Sequence, residues 1–103
     1  MARARRTFAA ERDLEEIVYR IAIEEERPVT AERILQELVE RCDKLAEFSV
    51  IARERTLASR LGDDVRLISH RRWVIIFRYD AEGVLVLRFA DGSQDYLSWK
   101  VGD

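Results

Sequence analysis

The stretch Arg71-Arg72-Trp73-Val74-Ile75-Ile76-Phe77-Arg78-Tyr79-Asp80-Ala81-Glu82-Gly83-Val84-Leu85-Val86-Leu87-Arg88-Phe89 decides the fold. Two apolar runs, residues 73–77 and 84–87, are rich in β-branched and aromatic side chains. They flank a four-residue connector, Asp80-Ala81-Glu82-Gly83, and the pattern predicts a β-hairpin. Gly83 closes the connector, where freedom at positive φ is the physical reason for a glycine. Arg78 and Arg88 interrupt the apolar strands and are read as marking the solvent face of the sheet, or a face turned to a partner.

Upstream of the hairpin, Val65-Arg66-Leu67-Ile68-Ser69 predicts a further strand. Residues 10–25 predict a helix, because Ala10, Leu14, Ile17, Val18 and Ile21 recur at helical spacing. Glu11, Asp13, Glu15 and Glu16 favour its positive end. Pro28 is read as the end of that helix, and Thr30 as the N-cap of the next. A second stripe runs through Ala31, Ile34, Leu35, Leu38, Val39, Cys42, Leu45 and Ala46. The short connection predicts an antiparallel helical hairpin laid on the strands. Residues 3–8 suit a short first strand. Phe48, Val50, Ile51 and Leu57 have no firm period, and Leu61-Gly62-Asp63-Asp64 reads as a turn. The expectation is one α+β domain over residues 1–103, ordered strand–helix–helix–strand–strand–strand.

Composition narrows the function classes. The chain has 103 residues, 48% apolar, which suits one domain with one modest core. No apolar run approaches the ~20 residues of a membrane span, and no signal peptide is visible, so a cytoplasmic location is expected. Cys42 is the single cysteine and His70 the single histidine. That excludes an internal disulfide and a multi-cysteine zinc site, and no metal or cofactor is expected. Cys42 is read as a buried, inert residue. The acidic runs Glu15-Glu16 and Glu24-Glu25-Glu26 are read as solvated helix faces. The net charge of −2 hides segregation: residues 49–72 carry six Arg against Glu54, Asp63 and Asp64. Arg suits forked recognition of carboxylate or phosphate.

Several phrases resemble the ParE toxins of the RelE/ParE toxin–antitoxin superfamily. Asp13-Leu14-Glu15-Glu16-Ile17 is similar to the usual opening of the first helix, and Pro28 precedes a second helix ending in Cys42-Asp43-Lys44-Leu45-Ala46. Leu61-Gly62-Asp63-Asp64-Val65-Arg66 matches a Leu-Gly turn followed by a basic strand. Arg72-Trp73-Val74-Ile75-Ile76-Phe77-Arg78 is close to the family's Arg-Tyr-Val-Ile-Phe-Tyr-Arg strand. Asp91-Gly92-Ser93-Gln94-Asp95 stands where His-Gly-Ala-Arg-Asp is common. The resemblance implies two antiparallel helices packed on a small, mostly antiparallel sheet. It implies a ParD-like antitoxin as partner and DNA gyrase as target, with nucleic acid met only through the antitoxin. RelE-like relatives instead cut messenger RNA on the ribosome.

Between these activities the residues favour the non-catalytic one. Gln94 stands at the position of a common Arg, and Val74 where the ribonuclease branch tends to carry Arg. RNA cleavage needs proton transfer and stabilisation of phosphorane-like charge, and His70 has no second titratable partner placed by the sequence. A ribosome-dependent messenger RNA endonuclease is the alternative, as is a degenerate toxin that only binds its antitoxin. Arg53, Arg55, Arg60, Arg66, Arg71 and Arg72 form a basic stripe; with Trp73 it could track phosphates and stack a base, but an acidic antitoxin tail fits it better. The expected antitoxin- or target-binding residues are Arg66, Arg71, Arg72, Arg78, Arg88, Tyr96 and Trp99. Tyr96 and Trp99 are either partner anchors or aromatics folded back on the sheet.

Overall fold

The computed structural model describes residues 3–47 and 65–99. The expectations for residues 48–64, including Arg53, Arg55, Arg60 and the Leu61–Asp64 turn, lie outside the described residues. The elements are β1 (Arg5–Arg6), α1 (Phe8–Tyr19), a π-helical turn (Arg20–Glu24), α2 (Pro28–Glu47), β2 (Arg66–His70), β3 (Trp73–Asp80), β4 (Gly83–Asp91) and a 3₁₀ turn (Tyr96–Ser98). The expected α+β order holds. The four strands lie in the order β1-β4-β3-β2, with β1 parallel to β4 and the other pairs antiparallel.

Thr7 joins the first strand to the first helix. Its hydroxyl accepts from Ala10 N–H (3.1 Å) and donates to Leu87 O (2.8 Å), while its own N–H donates to Val86 O. The helix therefore starts two residues before the predicted boundary, because an N-cap threonine is available there. The end of that helix also differs from expectation. It widens into a π turn, in which Glu25 N–H donates to the Arg20 carbonyl, and Glu26 then takes φ 54 to reverse the chain. Pro28 is the first residue of α2 rather than the terminator of α1, and Thr30 lies within the first turn. Proline suits a first helical position, where its missing N–H costs nothing. The Arg27 carbonyl accepts from Ala31 N–H at 2.9 Å.

The hairpin connector is shorter than predicted. Asp80 and Gly83 still pair, leaving Ala81-Glu82 as the turn, with Gly83 at φ 120. The Asp80 carboxylate accepts from Glu82 N–H and holds the turn. One irregularity governs β4. Ile76 faces Arg88 and Phe77 faces Val86, so Leu87 is an extra, bulged residue. Strict alternation from Val84 and Val86 would drive Arg88 into the helix-facing core. The bulge turns Arg88 away and lets Phe89 point at the helices instead.

The sheet is buried on both faces. On one, Trp73, Ile75, Phe77, Val84, Val86 and Phe89 pack against Ala10, Leu14 and Ile21 of the first helix and against Ile34, Leu38, Cys42 and Leu45 of α2. On the other, Val65, Val74, Ile76, Leu85, Leu87 and Ala90 form a second apolar cluster, with Leu67, Tyr96 and Trp99 packed on it. The reading of Arg78 and Arg88 as marks of a solvent face is thus corrected: their face is apolar, because the runs carry no polar alternation there. Burial pushes the Cys42 thiol up to about 12, so it is an inert core residue.

Candidate functional site

The arginines of the hairpin end are organised by three carboxylates. Arg88 donates from Nε and Nη2 to Asp13 at 2.6 and 2.9 Å, and Phe89 N–H reaches the same carboxylate at 3.0 Å. Asp13 of α1 thereby closes the edge of β4 beyond the short β1. The Arg88 guanidinium also lies 4.1 Å from the Trp99 ring centroid, a cation–π contact that ties the C-terminal turn to the sheet. The Asp13 hydrogen bonds raise the pKa of Arg88 further.

The β2–β3 turn is held twice. Arg71, at φ 56, grips Glu37 of α2 with Nε and Nη2 at 2.7 and 3.1 Å, and His70 Nε2 lies 3.0 Å from Glu37 Oε1. These partners, Arg71 first and then His70, lower the Glu37 carboxyl to about 2. Arg72 binds Asp91 at 2.6 Å, and its carbonyl accepts from Gly92 N–H at 2.6 Å. A Cβ at Gly92 would meet that same carbonyl oxygen at 3.0 Å, tighter than most such contacts, so the close approach favours a glycine. Asp91 is lowered to about 2, first by Ser93 N–H and then by Arg72. Gln94 accepts from Asp91 N–H and serves to cap the strand end.

Two neighbouring clefts open here. The first lies between α1 with its π turn and the end of β4; Arg72, Arg88 and Trp99 all line it, together with Asp13, Arg20 and Gln94. The second lies beside it, under Arg71 and Arg72. The remaining expected site residues are elsewhere. Arg66 lies over the Tyr79 ring at 5.2 Å, and Arg78 pairs with Leu85, both toward the far end of the hairpin. Tyr96 rests on the second apolar cluster. Trp73 is 6% exposed beneath Arg72, so it offers no platform for a base. Sequence reasoning missed Asp13, Glu37 and Asp91. For Asp13 the only signal was the demand that the strand residue Arg88 have a partner; for Glu37 and Asp91, which hold the turn residues Arg71 and Arg72, there was none, and all three partners stand far off in the chain. Among the described residues, no group of three His, Cys, Asp or Glu side chains could hold a metal ion. No helix among them is long and apolar enough to cross a membrane.

This architecture, two helices packed on one face of a four-stranded, mostly antiparallel sheet with a short parallel edge strand, defines a small α+β protein. The family model described as the ParE toxin of the type II toxin–antitoxin system, parDE, matches residues 5–96, and the chain belongs to that family. A solved structure described as the chromosomal ParDE TA system from P. aeruginosa is similar in fold. It is 23% identical, with a TM-score of 0.59 over 88% of this chain and 96% of that one. Comparison with curated proteins gives no match.

Proposed function

We propose that this toxin acts by binding rather than by chemistry: it inhibits DNA gyrase through protein–protein contact, in the cytoplasm, and a ParD-like antitoxin neutralises it. The observation that supports binding over catalysis is the sheet face opposite the helices. Val74, Ile76, Leu85, Leu87 and Ala90 cover most of it, and Arg88, which shares that face, is committed to Asp13. Proton transfer and charge stabilisation on a scissile phosphate need titratable and cationic groups on the working surface. His70, the one histidine, is instead bound to Glu37 at the turn. Gln94 is neutral and engaged with the backbone of Asp91. Membership of the ParE family supports gyrase as the target and a ParD-like protein as partner.

The test is a supercoiling and DNA-cleavage assay with purified gyrase and the purified chain in molar excess. The expected result is loss of supercoiling with accumulation of cleaved DNA, reversed by the antitoxin. Unchanged supercoiling with no trapped cleavage would sink the gyrase reading. Cuts induced in translated messages, mapped by primer extension, would replace it with the messenger RNA endonuclease reading.

A further inference from the structure

Phe8 and Tyr19 stand at the two ends of α1, and both lie open to solvent, at 78% and 58% exposure. Between them come Arg12 and Glu15, also exposed. The four positions are spaced four, three and four residues apart, so they form one stripe along the helix. The stripe lies opposite the side on which Ala10 and Leu14 pack against the sheet. A solvent face of a surface helix calls for polar residues, yet this one carries an aromatic at each end. The charged residues on the stripe also differ from those beside it. Glu11 holds Arg6 at 2.7 Å and Glu16 holds Arg20 at 3.0 Å. Arg12 and Glu15 have no ion pair among the described residues.

We propose that this face of α1 is a self-association surface, met by α1 of a second copy of the chain running antiparallel across a two-fold axis. A two-fold contact uses the same patch on both copies, so the patch must complement itself. This stripe does. Its four–three–four spacing reads the same from either end, and its order is aromatic, cation, anion, aromatic. Reversing the partner sets Phe8 of each copy against Tyr19 of the other, and Arg12 of each against Glu15 of the other. Two aromatic contacts then close the ends, and two ion pairs fill the centre. A parallel partner in the same register would instead set Arg12 on Arg12 and Glu15 on Glu15, which like charge opposes. The contact is short. Helix α1 has 12 residues and is about 18 Å long. It therefore buries less than the ~1,200 Å² at which stable interfaces begin, and the dimer is weak, with a dissociation constant on the order of 10–100 μM.

The test is sedimentation equilibrium of the full-length chain from about 1 to 500 μM at about 50 mM salt. Wild type should pass from monomer to dimer within that range. Phe8→Ser/Tyr19→Ser should weaken the association by about tenfold or more. Val29, 81% exposed at the start of α2 and off the stripe, supplies the control. Val29→Ser should stay within about twofold of wild type. Circular dichroism and urea midpoints check that each variant folds, and substitutions at these exposed positions should leave both close to wild type. Arg12→Glu puts carboxylate against carboxylate at the centre and should weaken the dimer by about threefold or more. Arg12→Glu/Glu15→Arg restores opposite charges across the axis and should return it to within about twofold of wild type. A wild-type chain that stays monomeric throughout overturns the proposal. So do stripe variants that dimerise like wild type, or a charge swap that fails to recover. If wild type is monomeric and Phe8→Ser/Tyr19→Ser instead loses affinity for a ParD-like antitoxin, the face belongs to that partner and the proposal is likewise overturned.

Discussion

Glu26 carries φ 54 without being glycine, at the point where the first helix must stop. A left-handed residue with a Cβ costs about 1 kcal/mol or more, and helix C-termini favour glycine there for that reason. Glu26→Gly should therefore stabilise the fold by about 0.5–1 kcal/mol, less than the whole strain because glycine also loosens the unfolded chain. A urea titration should show a higher midpoint at unchanged slope, while Glu26→Ala, which keeps the Cβ, should show no gain. Asp13 is the opposite kind of residue. It takes three hydrogen bonds, two from Arg88 and one from Phe89 N–H, in a half-buried position. Asp13→Ala strands a partly buried guanidinium and a strand N–H, at a cost of about 2–3 kcal/mol. In a double-mutant cycle with Arg88→Met the two losses should be far from additive; additivity within a few tenths of a kcal/mol would show that the pair contributes nothing.

At the scale of elements, the β2–β3 turn is pinned to α2 through Glu37 and to the end of β4 through Asp91. Both carboxyls are lowered to about 2 in the folded protein, against ordinary values of 4.5 and 3.8. A folded pKa below the unfolded one means that the unfolded chain binds protons first as pH falls. The stabilisation is then fully present above about pH 5 and is lost progressively between there and about pH 2. Urea midpoints should fall across that window in wild type, and Glu37→Gln should flatten the decline; an equally steep fall in that variant would exclude Glu37 from the linkage. The elements themselves were legible because their signals are local. The two helix stripes repeat every turn, and the β-branched runs around Gly83 announce a hairpin. The ambiguous joints were those where one residue fits two roles. Pro28 satisfies both a stop signal and a first-turn signal, and what decided between them was the left-handed turn at Glu26, which no glycine advertised. The carboxylate pins were illegible for another reason: Asp13 with Arg88 and Glu37 with Arg71 are pairings across the fold, set by register and not by spacing.

For the whole molecule the decisive property is a sheet loaded on both faces. The runs 73–77 and 84–87 lack alternation, which is the mark of two-sided burial, but the arginines at 78 and 88 suggested a wet face. The bulge at Leu87 reconciles them, since it takes Arg88 to the Asp13 edge and leaves apolar residues across the face. This makes the second cluster a core in its own right, with Ile76 fully buried at 0% exposure and Phe77, its neighbour on the helix side, at 3%. Two substitutions measure it. Phe77→Ala should cost about 3–5 kcal/mol and Ile76→Ala about 2–4 kcal/mol, the difference following side-chain size and not face. A domain of this length holds only about 5–15 kcal/mol in all, so either change should sharply cut the folded population and, with it, growth inhibition when the chain is expressed alone. If the second face were instead a solvated surface, Ile76→Ala would shift the urea midpoint by the equivalent of ~0.5 kcal/mol or less. The two-core description would then fail, and with it the argument that this face leaves no room for a nuclease.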